Sequence, residues 1–465
     1  MTTTTDAPVN NVLIIGAGII GVSVAYHLSR FSPGLTIHLL DSSPSLFVSA
    51  SGRAAGFLAR DWFPPATASL GELSFDLHRR LAEEHDGSRL WGYSPSTGFS
   101  LPEARRAPGG KKGEDWLFEG VSRSTSAAAD AGSSSTAVLP LWLSAGREVT
   151  SPPADILSSG ATTAQVDPLQ LCQFLLGQCL SRNVHVHHPV FVTDVITSSD
   201  NTITGLSVRS PAGGPTTVLP CDALVLTAGV WTPRVFEALF PNATVSLPIT
   251  HLSGHSVVLR SPRWTAPEPG VSVTTGCHAI FTTDDEACFS PEIFSRAGGD
   301  IYLAGLNTTA VSVPDLASEV QPDPASIEVL MRTARKLLGD DEVDVLGTGF
   351  CHRPVSRSGP PLLTRLTAQQ TGVRSSRRHL GKCGPWGVGY FHESWHWAGA
   401  SRTYSPSRPK RGRVAARFTC IRRRRTRGNT IIFSVFCMYS KTVVKRIFAS
   451  TKGEKNKTRQ ECRDK

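Results

Sequence analysis

Three glycines, Gly16, Gly18 and Gly21, and one acid, Asp41, have the types and spacing to hold a dinucleotide. They stand in "VLIIGAGIIGVSVAYHL" and in the "LLD" that ends at residue 41. Gly16 permits a tight turn, Gly18 lets the backbone approach a pyrophosphate, and Gly21 with Ala25 lets a helix pack close to a strand. The start of that helix offers its first N–H groups to the anion. Asp41 stands far enough beyond Gly21 to accept hydrogen bonds from both hydroxyls of a ribose. A glycine triplet alone marks only a turn, and the competing reading is an α/β unit with an empty loop. The pattern leaves open whether the ligand is a nicotinamide that comes and goes or a flavin that stays.

The elements that position these residues are legible around them. Val12 to Ile15 has the length and β-branching of a buried parallel strand, and Leu35 to Leu40 is a second apolar strand ending in the acid. A nicotinamide-type domain would continue with alternating strands and helices. This chain turns instead to "SSPSLFVSASGRAAGFLARDWFPP", whose small residues and single cation, Arg53, suit a loop lying against a cofactor pyrophosphate. Residues 101–136, rich in Gly, Ser and charge, read as a surface insertion. Order returns at "TTAQVDPLQLCQFLLGQCL", where Pro168 starts a helix, and "VHVHHPVFVTDV" reads as strands. Alternation puts His185 and His187 on one strand face, a possible metal pair, but without a neighbouring carboxylate or thiol they read as a surface strand. "CDALVLTAGVWTPRVF" then runs a buried strand, Ala223 to Leu226, into the small-residue turn Thr227-Ala228-Gly229, so the nucleotide unit is discontinuous in sequence. "HLSGHSVVLRS", "HAIFTT" and "GDIYLAGL" alternate as antiparallel strands of a second domain.

At 465 residues the chain exceeds one ordinary core. Its net charge of +10 is uneven: from Arg374 onward it carries 24 of the 48 basic side chains and 4 of the 38 acidic ones. The body is therefore mildly acidic, which argues against a nucleic-acid groove there. Ten cysteines show neither C-x-x-C nor zinc spacing, so no metal is expected. The first residues, "MTTTTDAPVN", have no charged start or apolar run of a secretory signal, and no apolar stretch reaches membrane-spanning length. A cytoplasmic protein with reduced thiols is the expectation.

Taken in order, "VLIIGAGIIG" with "LLD", "SASGRAAGFLARDW", "TAQVDPLQL", "DALVLTAGVWT", "GDIYLAGL", and "CHRPVSRSGPPLL" followed by "CGPWGV" span residues 10–388. In this set the chain resembles the D-amino-acid-oxidase-like FAD-dependent oxidoreductases, the group containing glycine and sarcosine oxidases, with fungal members the nearest in pattern. The resemblance implies a resident FAD in a Rossmann-like, discontinuous α/β domain, α+β overall, roofed by an antiparallel-sheet substrate domain. It places Gly16, Gly18, Gly21 and Asp41 on the ADP half, Ser51, Gly52 and Arg53 near the pyrophosphate, and Thr227, Ala228, Gly229 and Trp231 along the flavin side. Arg353 falls where relatives hold a substrate carboxylate, against the alternative of a structural salt bridge. Tyr302 is a lid or orienting hydroxyl, against a core tyrosine. The implied segments are 10–95, 160–233 and 346–388 for FAD and 234–345 for substrate. The implied reaction oxidises a C–N bond of an amino acid or small amine by hydride transfer to flavin, with molecular oxygen as acceptor. No obligatory acid–base pair is needed, and His251, His255 and His278 read as structural.

The resemblance breaks after Val388. Relatives end in an amphipathic helix pointing its N-terminus at the flavin, whereas residues 389–465 turn basic with no helical stripe. Two origins fit: a basic extension whose Arg422–Arg425 run binds nucleic acid or acidic lipid or serves as a nuclear address, or translation in the wrong frame or through an intron. Loss of an element from within the fold favours the second. Either way the tail is expected to be disordered. The missing helix keeps an inactive or regulatory flavoprotein as an alternative function, with nucleic-acid binding through the tail the less favoured one.

Overall fold

The computed structural model describes residues 9–63, 67–101, 139–144, 154–265, 276–282, 289–339, 342–357, 361–373 and 431–434. Its strands in chain order are β1 Asn11–Ile15, β2 Thr36–Leu40, β3 Phe57–Ala59, β4 Ser94–Leu101, β5 Asp155–Ser158, β6 Thr163–Gln165, β7 Val184–His187, β8 Phe191–Thr197 and β9 Ile203–Arg209. They continue with β10 Thr217–Pro220, β11 Ala223–Leu226, β12 Ile249–Arg260, β13 Cys277–Thr282, β14 Glu292–Ser295, β15 Ile301–Thr308, β16 Asp344–Ser356, β17 Leu363–Leu366 and β18 Ile431–Ser434. The longer helices are α1 Ile19–Phe31, α2 Ala68–His85, α3 Pro168–Leu180, α4 Thr232–Leu239 and α5 Pro324–Leu338.

The first sheet runs β17-β18-β11-β1-β2-β7 and is parallel from β18 to β7. Its central strands read as unbroken apolar runs because both faces are covered. One face packs α1 and α3, with Val12, Ile14, Ile37 and Val225 meeting Val22, Tyr26, Leu171 and Leu175. The other, through Leu13, Ile15, Leu224 and Leu226, meets α4 and the three-stranded β10-β9-β8 sheet. Asp167 caps α3, accepting from Gln170 N at 3.0 Å, and Pro168 follows it, as the sequence predicts.

The second sheet is mostly antiparallel, ordered β16-β12-β15-β14-β13-β4-β6-β3, with β5 on β4. Only the β13–β4 pair in it is parallel. α5 covers one face through Leu330, Met331, Ala334 and Leu338. The other closes over Phe57, Trp62, Phe281, Phe294 and Tyr302. Strands from residues 57–59, 94–101, 155–165 and 344–356 all join this sheet. The two sheets therefore interleave along the chain more finely than the expected segments 10–95, 160–233, 234–345 and 346–388.

The expected insertion 101–136 lies outside the described residues apart from Leu101. So does the expected tail 389–465 apart from β18, whose backbone fills the position between β11 and β17, parallel to the first and antiparallel to the second. Among the described residues no helix is long and apolar enough to cross a membrane.

Candidate functional site

Where β1 ends, Gly16 turns the chain with φ of +101°, and a Cβ there would stand 2.6 Å from the Ala228 Cα and N and the Thr227 carbonyl carbon. Only glycine allows the β1 and β11 termini to meet this closely. Thr227 Oγ1 donates to the carbonyls of Ile15, at 3.0 Å, and Gly16, at 2.8 Å, tying the two strand ends together. At Gly21 a Cβ would overlap the Gly16 carbonyl oxygen at 1.9 Å, so α1 starts directly against the turn. Gly18 caps α1 with no side-chain hydrogen bond, and Ser51 Oγ accepts from Ile19 N at 3.0 Å. With Ile19 N taken by Ser51, it is the next N–H groups of the first turn that can serve an anion.

Asp41 extends from the end of β2. Its Oδ2 accepts from Ala17 N and its Oδ1 from Ser43 N, each at 2.8 Å. Burial raises its pKa, while the two backbone donors and His188 counter that. Each carboxylate oxygen has a second lone pair, and Asp41 lines the adjacent cleft.

That cleft encloses about 740 Å³. It begins at Gly16, Gly18, Asp41 and Ser51, passes Thr227, Ala228, Gly229 and Trp231, and ends on β16 at His352 and Pro354. Three features of the chain fit the FAD implied by the sequence: a glycine turn at the start of α1, an N-cap glycine that supplies no side-chain acceptor of its own, and the half-buried Asp41 carboxylate lining the same cleft. The cleft is lined by residues of both sheets, as a cofactor bound at one and reacting at the other requires. A strap between β15 and α5 bounds it: Trp231 Nε1 donates to Pro314 O at 2.8 Å and Arg234 Nη1 to Asp315 Oδ1 at 2.7 Å.

Gly52 and Arg53, expected near the pyrophosphate, are not among the residues lining the cleft, which stops at Ser51. A Cβ on Gly52 would meet Phe47 O at 2.2 Å, so its glycine serves the loop's own turn. The Arg53 side chain crosses to the second sheet. Its Cδ and Nη1 lie 3.6 and 3.7 Å from where Gly349 of β16 would carry a Cβ. Tyr302 is buried in the second core, and its hydroxyl donates to Arg53 O at 3.1 Å. Burial raises its pKa, which keeps it protonated. Arg353 points the same way as Arg53. Its Nε donates to Leu252 O at 3.2 Å and its Nη2 contacts Asn307 Oδ1.

Sequence reading missed Arg296. This arginine, 7% exposed, donates from Nη2 to Ala54 O at 2.7 Å and Ala55 O at 3.0 Å, pairs with Asp300 at 3.2 Å, and stacks on Tyr302 at 4.8 Å. Three successive carbonyls, of residues 53, 54 and 55, are therefore held by the second sheet. Nothing in "SRAGGD" announces this, because the partners are some 240 residues away. His352 was missed too. It is buried at the cleft's end with Nδ1 2.6 Å from Ser253 Oγ, and burial beside His251 lowers its pKa to about 4.

His251 stands edge-on to His352 at 5.4 Å between ring centres, and His255 Nε2 accepts from Asp323 N at 3.2 Å. His278 lies 3.4 Å from Trp142 Nε1. His185 and His187 share the face of β7 with His38 of β2, whose Nδ1 is 3.0 Å from His187 Nε2. Among the described residues, no three histidines, cysteines or acids are placed to hold a metal ion.

The profile of a family described as FAD dependent oxidoreductase (DAO) matches residues 11–392. An inferred oxidoreductase of Schizosaccharomyces pombe is 24% identical over 369 residues, covering 77% of this chain and 86% of the relative. Among solved structures, glycine oxidase from Geobacillus kaustophilus superposes with a TM-score of 0.56 at 17% identity, covering 77% of this chain and 86% of its own. Iminodiacetate oxidase from a Chelativorans species gives 0.54 at 20% identity, covering 76% and 86%. These two likenesses are of fold.

Proposed function

The chain belongs to the FAD-dependent oxidoreductase (DAO) family, and on that footing we propose that it oxidises a C–N bond of an amino acid or other small amine, with molecular oxygen as the terminal acceptor. It is an FAD-dependent oxidoreductase. Bound FAD supplies the hydride acceptor. The side chains have the tasks of binding, orienting and excluding water. In this reading Gly16, Gly18 and Gly21 bring the first turn of α1 to the pyrophosphate, and Asp41 takes the ribose hydroxyls with the acceptor capacity left beyond Ala17 and Ser43. Thr227 holds the β1 and β11 ends together beneath the cofactor, and Ala228, Gly229 and Trp231 line the groove beyond them.

Arg353 takes the substrate carboxylate, for which a planar guanidinium offers two parallel donors. Tyr302 is a positioning residue: its hydroxyl is committed to the Arg53 carbonyl and stays protonated, so it fixes the loop rather than moving a proton. The glycine and iminodiacetate oxidases that share the fold act on substrates of this class by name.

One observation carries the reading. One cleft is lined both by the nucleotide loop at Gly16 and Gly18 and by His352 and Pro354 of β16, the strand that carries Arg353 on its other face, so a cofactor held at the loop would extend to the second sheet.

The test is anaerobic titration of the purified yellow protein with glycine, N-methylglycine, L-proline and iminodiacetate. The expected result is bleaching of the flavin bands by at least one amine and recovery of colour on admitting air. A flavin that dithionite bleaches but no amine does would refute the proposal.

A further inference from the structure

The face of the second sheet turned toward the Arg53 loop carries two guanidinium groups over two glycines. Along β12 the register sets Leu252 against Arg353, Gly254 against Cys351 and Ser256 against Gly349. Residues two apart share a face, so Gly254, Ser256, Gly349, Cys351 and Arg353 all look the same way, with Tyr302 paired to Val258 on that face. Gly254 and Gly349 are diagonal neighbours, which places them about 7–8 Å apart. Over Gly254, Arg353 Nη2 is 2.8 Å from the position of a Cβ, and over Gly349 the Arg53 side chain comes to 3.6 Å. A side chain at Gly254 would collide with Asn307 Oδ1 and Arg353 Nη2, whereas at Gly349 the collision would be with Ser256 Oγ at 2.8 Å and Arg53 lies at ordinary contact distance.

Arg53 is not there by chance of rotamer. Tyr302 and Arg296 hold the carbonyls of residues 53–55, which fixes the backbone from which the Arg53 side chain reaches the sheet at Gly349. Among the described residues the ion pairs formed do not include Arg53. A half-buried guanidinium held over bare backbone, beside a second one, favours an anion that can reach both.

We propose that Arg53 is a second anion-binding residue of the substrate site, and that the substrate is a small amine or amino acid carrying two carboxylates, one taken by Arg353 and the other by Arg53. This rests on the oxidase reading above. It adds the substrate class: the second carboxylate sits away from the reacting carbon and supplies binding and orientation.

The test is calorimetric binding of glutarate and butyrate, two anions that cannot be oxidised as amines, to the FAD-loaded protein and to Arg53→Met, Arg53→Lys and Arg353→Met. Wild type binds glutarate about ten- to a hundredfold more tightly than butyrate, the worth of one charge-assisted pair. Arg53→Met removes that preference and leaves butyrate binding unchanged, Arg53→Lys restores part of it, and Arg353→Met weakens both anions. Equal binding of the two anions by wild type, or a preference that survives Arg53→Met, overturns the proposal. So does an Arg53→Met protein that purifies without FAD while Arg53→Lys retains it, because Arg53 then serves the cofactor. The measurement needs no turnover. A glutarate preference in a protein whose flavin no amine bleaches keeps the two-carboxylate site and removes the oxidase reading, and bleaching by amines without any preference does the reverse.

Discussion

Replacing Gly16 by alanine tests whether the closeness of β1 and β11 is a requirement of the fold or only of the cofactor. Two costs arise. At φ of +101° a Cβ meets its own carbonyl environment, and the same Cβ would press at 2.6 Å on backbone atoms of Thr227 and Ala228, which cannot swing aside as a side chain can. Positive-φ strain costs about 1–2 kcal/mol and overpacking about 1–3 kcal/mol, so the variant should lose about 2–5 kcal/mol of a total near 5–15 kcal/mol. Gly18→Ala is the contrast. Its φ is −66°, and its nearest neighbour is the Ser51 hydroxyl at 3.0 Å, a side-chain atom that can shift by weakening its bond from Ile19 N, so the fold should lose about 1 kcal/mol or less. Its methyl group nevertheless fills the cradle where the pyrophosphate approaches. Urea unfolding of both apoproteins, followed by tryptophan fluorescence, reads the first effect, and titration with FAD reads the second. Gly16→Ala should unfold at clearly lower urea, and Gly18→Ala should lose no more than about 1 kcal/mol in urea yet bind FAD at least about tenfold more weakly, a change of roughly 1.4 kcal/mol. If Gly16→Ala lies within about 0.5 kcal/mol of wild type, the ordinary range for an indifferent site, the strain argument is wrong.

Arg296→Met should destabilise the protein by about 2–4 kcal/mol, because it strands the carbonyls of Ala54 and Ala55 and the Asp300 carboxylate; a melting temperature equal to wild type would show that the clamp is dispensable. Stability should also fall in acid. Burial lowers the pKa of His27 to about 3 and of His38, His78, His278 and His352 to about 4, with neighbouring histidines adding to the effect at His38 and His352. The unfolded chain therefore binds protons near pH 6.5 that the folded chain refuses. The stabilisation is complete above that pH and is lost as pH drops toward 4. Urea midpoints measured between about pH 7.5 and about pH 5 should decline steadily, and a flat profile would contradict the burial of these rings.

The amino-acid sequence alone determined the nucleotide half. A strand, a glycine turn, a helix and a second strand ending in Asp41 are neighbours along the chain, so their periodicities and spacing already state which groups meet. The discontinuity was legible as well, since Ala223 to Leu226 reads as a buried strand ending in a small-residue turn. What only the tertiary structure decided is where the side chains from elsewhere go. Arg53 lies in a loop of residues suited to a pyrophosphate, yet its side chain crosses to Gly349 from a backbone whose carbonyls Tyr302 and Arg296 hold. Arg296 is silent in sequence for the same reason, its acceptors being backbone oxygens in a distant loop with no side-chain signature. β18 likewise lies far along the chain from β11, and no local pattern names its partner. Periodicity reports contacts within a turn or a hairpin, whereas a guanidinium's choice of acceptor, or a strand's choice of neighbour, depends on which distant backbone the packed sheets bring within hydrogen-bond reach.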